Sequence, residues 1–143
     1  MPKISLSSLF FLSAVALAAF PVAASAEEPP NLTGTWTGTI TGGARFGDLD
    51  YDADEKAPVF ADRTKEWVLT IEKQDGSGLI GKWGRDGKSE SLVGAIRRNN
   101  VNVVFADEDN FFDAQLLSEN EMELCGQEVG DATIAVCFLM KRK

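Results

Sequence analysis

From Lys65 to its end, the chain is written in short runs that alternate apolar and polar residues, each closed by a cluster of turn formers. Trp67, Leu69 and Ile71 alternate with Glu66, Val68, Thr70 and Glu72, and the turn Gln74-Asp75-Gly76-Ser77-Gly78 follows. Leu79 to Trp83 is closed by Gly84-Arg85-Asp86-Gly87-Lys88. Leu92, Gly94 and Ile96 alternate up to Asn99-Asn100, then Val101, Val103 and Phe105 up to Asp107-Glu108-Asp109-Asn110. Phe112, Ala114 and Leu116 run to Ser118-Glu119-Asn120, Met122 and Leu124 run to Gly130-Asp131, and Ile134, Val136, Phe138 and Met140 finish the series. A period of two places successive side chains on opposite faces of a strand, and no helical period competes with it here. Upstream, Leu32 to Thr41 alternates in the same way, with Gly34, Trp36, Gly38 and Ile40 on one face and threonines on the other. Regular short strands joined by tight turns predict an all-β domain. Connections this short favour an antiparallel up-and-down meander barrel of about eight strands, because a Greek-key sandwich needs long crossovers.

The two cysteines test the register of the last hairpin. If Cys125 faces Cys137, the turn centres on Asp131, Leu124 faces Phe138 and Met122 faces Met140. Inward residues then meet inward residues and both cysteines fall together on the outer face. A slip of one residue would destroy that agreement. The pairing predicts a cross-strand disulfide, which persists in an oxidising compartment.

The N-terminus points to that compartment. Lys3 precedes an apolar run, Ile4 to Phe20, and then Ala24-Ser25-Ala26, the layout of a secretory signal spanning residues 1–26. The run is short for a membrane span and is diluted by serines. Cleavage after Ala26 removes one lysine and leaves 13 basic and 22 acidic side chains, a net charge of −9. Such a balance disfavours nucleic acid and anionic lipid as partners, since both repel it. A periplasmic or secreted location follows. Glu66, Thr70, Glu72, Glu121 and Glu123 occupy outward positions, which argues against a barrel inserted in a membrane. Residues 27–31 read as a short mobile leader and 32–143 as one domain.

At Gly34-Thr35-Trp36 the chain resembles the lipocalin-like (calycin) group of small eight-stranded barrels, which carry a Gly-x-Trp at the start of the first strand. The stretch Leu32 to Trp36 is also similar to the start of avidin-type barrels, but the biotin contacts of those proteins have no counterpart that can be placed. The long C-terminal helix and the Thr-Asp-Tyr motif of lipocalins are missing. The resemblance implies a barrel whose Trp36 closes one end, with Arg142 packed on that indole. It also implies a small-molecule site inside.

Trp36, Ile40, Trp67, Leu69, Trp83, Phe105 and Phe112 are the expected wall of such a site. A barrel of eight strands is just wide enough either to hold one small ligand or to be filled by these side chains, and the sequence leaves both open. The connection from 42 to 64 breaks the hairpin rhythm and reads as a long acidic loop over the barrel mouth. Within it, Asp48, Asp50, Asp52 and Asp54 offer oxygens to a calcium ion, yet Ala53 stands where an EF-hand loop needs glycine and no helices flank the segment. A solvated acidic loop is the plainer reading.

Catalysis finds little footing. There is no histidine, the cysteines are expected to be paired, and no pair of carboxylates is marked out. The sequence therefore points to a non-enzymatic exported barrel that binds a small apolar or amphipathic molecule, with the 42–64 loop as lid. The alternative is a solid barrel that binds a protein partner through that loop, where Phe46, Tyr51 and Phe60 are the candidate contacts.

Overall fold

The computed structural model describes residues 27–47 and 55–143, so the proposed signal segment and the carboxylates Asp48, Asp50, Asp52 and Asp54, with Tyr51, lie outside the described residues. Nine strands and no helix are found among the described residues: β1 (Gly34–Gly47), β2 (Glu55–Phe60), β3 (Glu66–Asp75), β4 (Gly78–Arg85), β5 (Lys88–Ile96), β6 (Asn102–Ala106), β7 (Asn110–Ser118), β8 (Glu121–Val129) and β9 (Ala132–Arg142). No helix among them is long and apolar enough to cross a membrane.

Each strand from β3 to β9 pairs antiparallel with the next, and β1 pairs with both β3 and β9. The ring β1-β3-β4-β5-β6-β7-β8-β9 is thus a closed, eight-stranded, up-and-down barrel, as the hairpin rhythm predicts. Closure removes the exposed sheet edges that a flat meander would leave. The turns have the chemistry their residues dictate. Asp86 (φ 52°) and Gly87 (φ 80°) both take positive φ between Arg85 and Lys88, the pattern of a tight two-residue hairpin. Asn99 and Asp107 accept backbone N–H groups two and three residues ahead and so fold the β5–β6 and β6–β7 connections.

The last hairpin has the register expected from the cysteines. Leu124 faces Phe138, Met122 faces Met140, and Cys125 faces Cys137 across a disulfide.

The segment 42–64 is not one long loop. β1 runs on to Gly47, β2 returns along it with Ala44 opposite Phe60 and Gly47 opposite Glu55, and only 61–65 lead on to β3. Two features hide these strands. Thr41 is an extra residue in β1: Ile40 faces Phe138 but Gly42 already faces Cys137. Such a bulge reverses which parity points inward, so the alternation that serves up to Ile40 fails beyond it. In β2, Pro58 argues against a strand. The Ala61 N–H donates to the Gly43 carbonyl (3.1 Å) and Val59 faces Arg45, which turns the nitrogen of Pro58 to the edge that has no neighbour among the described residues. There a missing N–H costs no ladder bond.

The two ends of the barrel differ. At the base, Trp36 is fully buried, its Nε1–H donates to the Leu32 carbonyl (3.1 Å), and the Arg142 guanidinium lies 4.6 Å from the ring centre. The resemblance implied that stacking. Residues 27–31, expected as a short leader, form a strap tied across this base by side chains. Asn100 donates to the Glu27 and Glu28 carbonyls, Gln74 to Pro30, and Arg142 to Asn31, while Gln74 accepts the Leu32 N–H. Bonds from amide and guanidinium groups to successive carbonyls replace the ladder the strap lacks. The lower interior is packed with Leu69, Ile71, Val103, Met122, Leu124 and Met140, each at most 2% exposed.

Candidate functional site

Among the described residues, the interior opens toward the other end. Between Leu69, Trp83, Leu92, Phe105, Phe112 and Leu124 no space remains for even a water molecule. Above that layer is a cavity of about 80 Å³. Its floor and lower wall are Ile40, Trp67, Trp83, Phe112, Val136 and Phe138. Trp67 and Trp83 stack with centroids 4.9 Å apart, and Phe138 meets both rings edge-on at 5.7 and 5.1 Å. Phe112 packs edge-on against Trp83 at 5.4 Å. Offset and edge-to-face contacts of this kind fix the rings and leave a preformed aromatic surface.

Of the seven residues expected to line a ligand site, four border this cavity: Ile40, Trp67, Trp83 and Phe112. Trp36 closes the base, and Leu69 and Phe105 belong to the filled layer below. The barrel is thus filled in its lower half and open in its upper half.

The rim is polar, and most of it escaped the sequence reading. It consists of Arg45, Asp62, Arg85, Glu90, Asn110 and Glu128. Four of these follow from one rule. Arg85, Glu90, Asn110 and Glu128 each stand two residues beyond an inward-facing position, respectively Trp83, Leu92, Phe112 and Gly126. The period-two pattern predicts them once it is carried past the last apolar residue to the strand end. Arg45 reaches the rim through the Thr41 bulge, which turns it inward opposite Ile134.

Depth orders the charges. Arg85 is 4% exposed and its guanidinium lies 5.0 Å from the centre of the Trp67 ring, which also stacks with Trp83. Nε and Nη1 of Arg45 and Nε of Arg85 are shielded from solvent. Glu90 and Glu128 are half-buried and Asp62 is exposed. The Asp62 carboxylate accepts the Thr64 hydroxyl (2.7 Å) and the Thr64 N–H (2.8 Å). These two bonds, the hydroxyl first, hold its carboxyl below the ordinary carboxylate value, and the charges of Lys65 and Arg85 add to the effect. The described residues contain no group of three or more histidine, cysteine, aspartate or glutamate side chains placed to hold a metal ion.

The arrangement can take up a small apolar group against fixed aromatic rings and meet a polar head at a charged rim. No family model, no curated protein and no solved structure matches this chain.

Proposed function

We propose that this chain is an exported binding protein for a small apolar or amphipathic molecule, held in the open end of a lipocalin-like barrel. The observation that carries this reading is the division of the interior, with a cavity of about 80 Å³ over an aromatic floor and a solid layer beneath it. At about 30 Å³ per water, such a volume holds about two to three water molecules, or one small ring or branched group. A long acyl chain or an extended polycyclic ligand does not fit without displacing the packed layer. Ligand specificity would then come from the rim. Kinship with the lipocalin-like barrels is supported by the closed eight-stranded ring and by Arg142 stacked on Trp36. Export is supported by the signal-like residues 1–26 and by the outer-face disulfide, which suits an oxidising compartment.

A second reading, a protein-binding module, draws on the outer face rather than the interior. Phe60 on β2 is 87% exposed and Phe46 on β1 is 39% exposed, on the segment first read as a loop. With the acidic balance of the chain, such a surface suits a basic protein partner.

Native mass spectrometry of the chain produced in a bacterial periplasm separates the two. A co-purifying small molecule, lost in a Val136→Phe variant that fills the cavity from its wall, is the result expected of the binding barrel. A bare mass, with no change in Trp67 and Trp83 fluorescence on adding extracts of small metabolites, would defeat it. Attention would then move to the Phe46–Phe60 surface.

A further inference from the structure

The charge order around the cavity carries the ligand class further, and this step rests on the cavity being the binding site. The geometry points to a small carboxylic acid with a single ring or branched apolar group, its carboxylate received by Arg85 with Arg45 as the second cation of the rim.

Three observations lead there. First, the innermost charge is positive. Arg85 is 4% exposed and directly follows the aromatic floor along its strand, whereas Glu90 and Glu128 are half-buried and Asp62 is open to water. A charge in a site shielded from solvent acts on a ligand several times more strongly than the same charge in water. Arg45 shares the half-buried level of Glu90 and Glu128, so Arg85 alone stands inside the outer carboxylates. Second, both rim arginines are donors only, and Arg85 already meets Asp86, with Nε 3.8 Å from Oδ2. A guanidinium has five N–H groups in a planar fork that matches a carboxylate, and it can serve more than one acceptor. Third, Trp67 supports Arg85 at 5.0 Å and also stacks with Trp83 at 4.9 Å. The cation is thus held next to the surface that would receive the apolar part of the ligand. A cationic ligand would have to place its charge against Arg85 before reaching the outer carboxylates.

The test uses the chain 27–143 with its disulfide intact and three probes of nearly equal size: benzoate, benzyl alcohol and benzylamine. Their affinities are measured by calorimetric titration at neutral pH. Benzoate is expected to bind at least about tenfold more tightly than benzyl alcohol, a difference of about 1.4 kcal/mol, and benzylamine is expected to bind most weakly. In an Arg85→Met variant the ratio of the first two affinities should collapse to about one. Because the ratio on the unaltered chain is already decisive, a variant that fails to fold does not protect the idea. Equal affinities for benzoate and benzyl alcohol, or benzylamine as the tightest probe, would overturn the acid reading and leave the binding barrel standing. Binding of none of the three would overturn both.

Discussion

Removing the Cys125–Cys137 bridge gives the sharpest stability test of the fold. The two residues are 12 apart in sequence and directly opposed on β8 and β9. Both are half-buried on the outer face, so a Cys125→Ser/Cys137→Ser variant leaves no hole in the core. The loss falls mainly on the unfolded chain, which regains the freedom of the closed loop. For the separation of 12 residues the loop-entropy relation gives a little under about 3 kcal/mol. In a domain of roughly this size that corresponds to a fall in melting temperature of about 10 °C. Thermal unfolding of residues 27–143, followed by near-UV circular dichroism, measures it. The unaltered chain after full reduction should melt with the double variant. A fall below about 3 °C, with complete alkylation of both thiols after reduction confirmed by mass, would refute the argument. It would mean that the Gly130-Asp131 hairpin persists in the unfolded chain and leaves little entropy for the bridge to remove.

Two further outcomes follow from the cavity and its rim. A methyl added at Gly126 would meet the Phe112 ring at 2.7 Å, and the ring has the cavity to move into. Gly126→Ala should therefore cost about 1 kcal/mol, near the low end of overpacking, by urea unfolding, while weakening ligand binding through loss of volume. Asp62 bonds to Thr64 through its charged form, so its depressed titration keeps the Asp62–Thr64 turn intact from neutral pH down through the ordinary carboxylate range. The turn is lost only as the pH falls further, through the depressed value. Carbon-detected NMR should show the Asp62 midpoint below that of an exposed aspartate, and Thr64→Val should move it upward. An Asp62 midpoint unchanged by that substitution would exclude Thr64 as the cause.

The parts of this molecule that could be read from sequence are those where one rule acts alone. In β3 to β9 the alternation is uninterrupted through most of each strand and each turn carries its own residues, so order, pairing and the Leu124–Phe138 register follow from period and turn chemistry. The upper half of β1 was opaque because two local rules conflict there. A bulge residue resets the parity, and Gly42-Gly43 weakens the β signal just where the new parity begins. β2 was hidden by Pro58, whose tolerance depends on a free edge that only the assembled sheet defines. The strap at 27–31 is invisible for another reason. Its partners Gln74, Asn100 and Arg142 lie far along the chain, and polar side chains that bond to a distant main chain leave no periodic trace. The wall residues were recognised as inward but not as upper or lower. Apolarity does not distinguish Leu69 in a packed layer from Ile40 beside a cavity; the difference lies in how far along the barrel axis each strand has travelled.

The single extra residue at Thr41 gives β1 something like a reading frame. Downstream of it every side chain has exchanged inside for outside, so that Arg45 is on the rim and Phe46 on the outer surface. Deleting Thr41 would restore the upstream frame and offer the mouth Phe46 in place of the Arg45 guanidinium, with no substitution at any position. In a barrel built this way the polarity of the entrance is set by one residue of chain length.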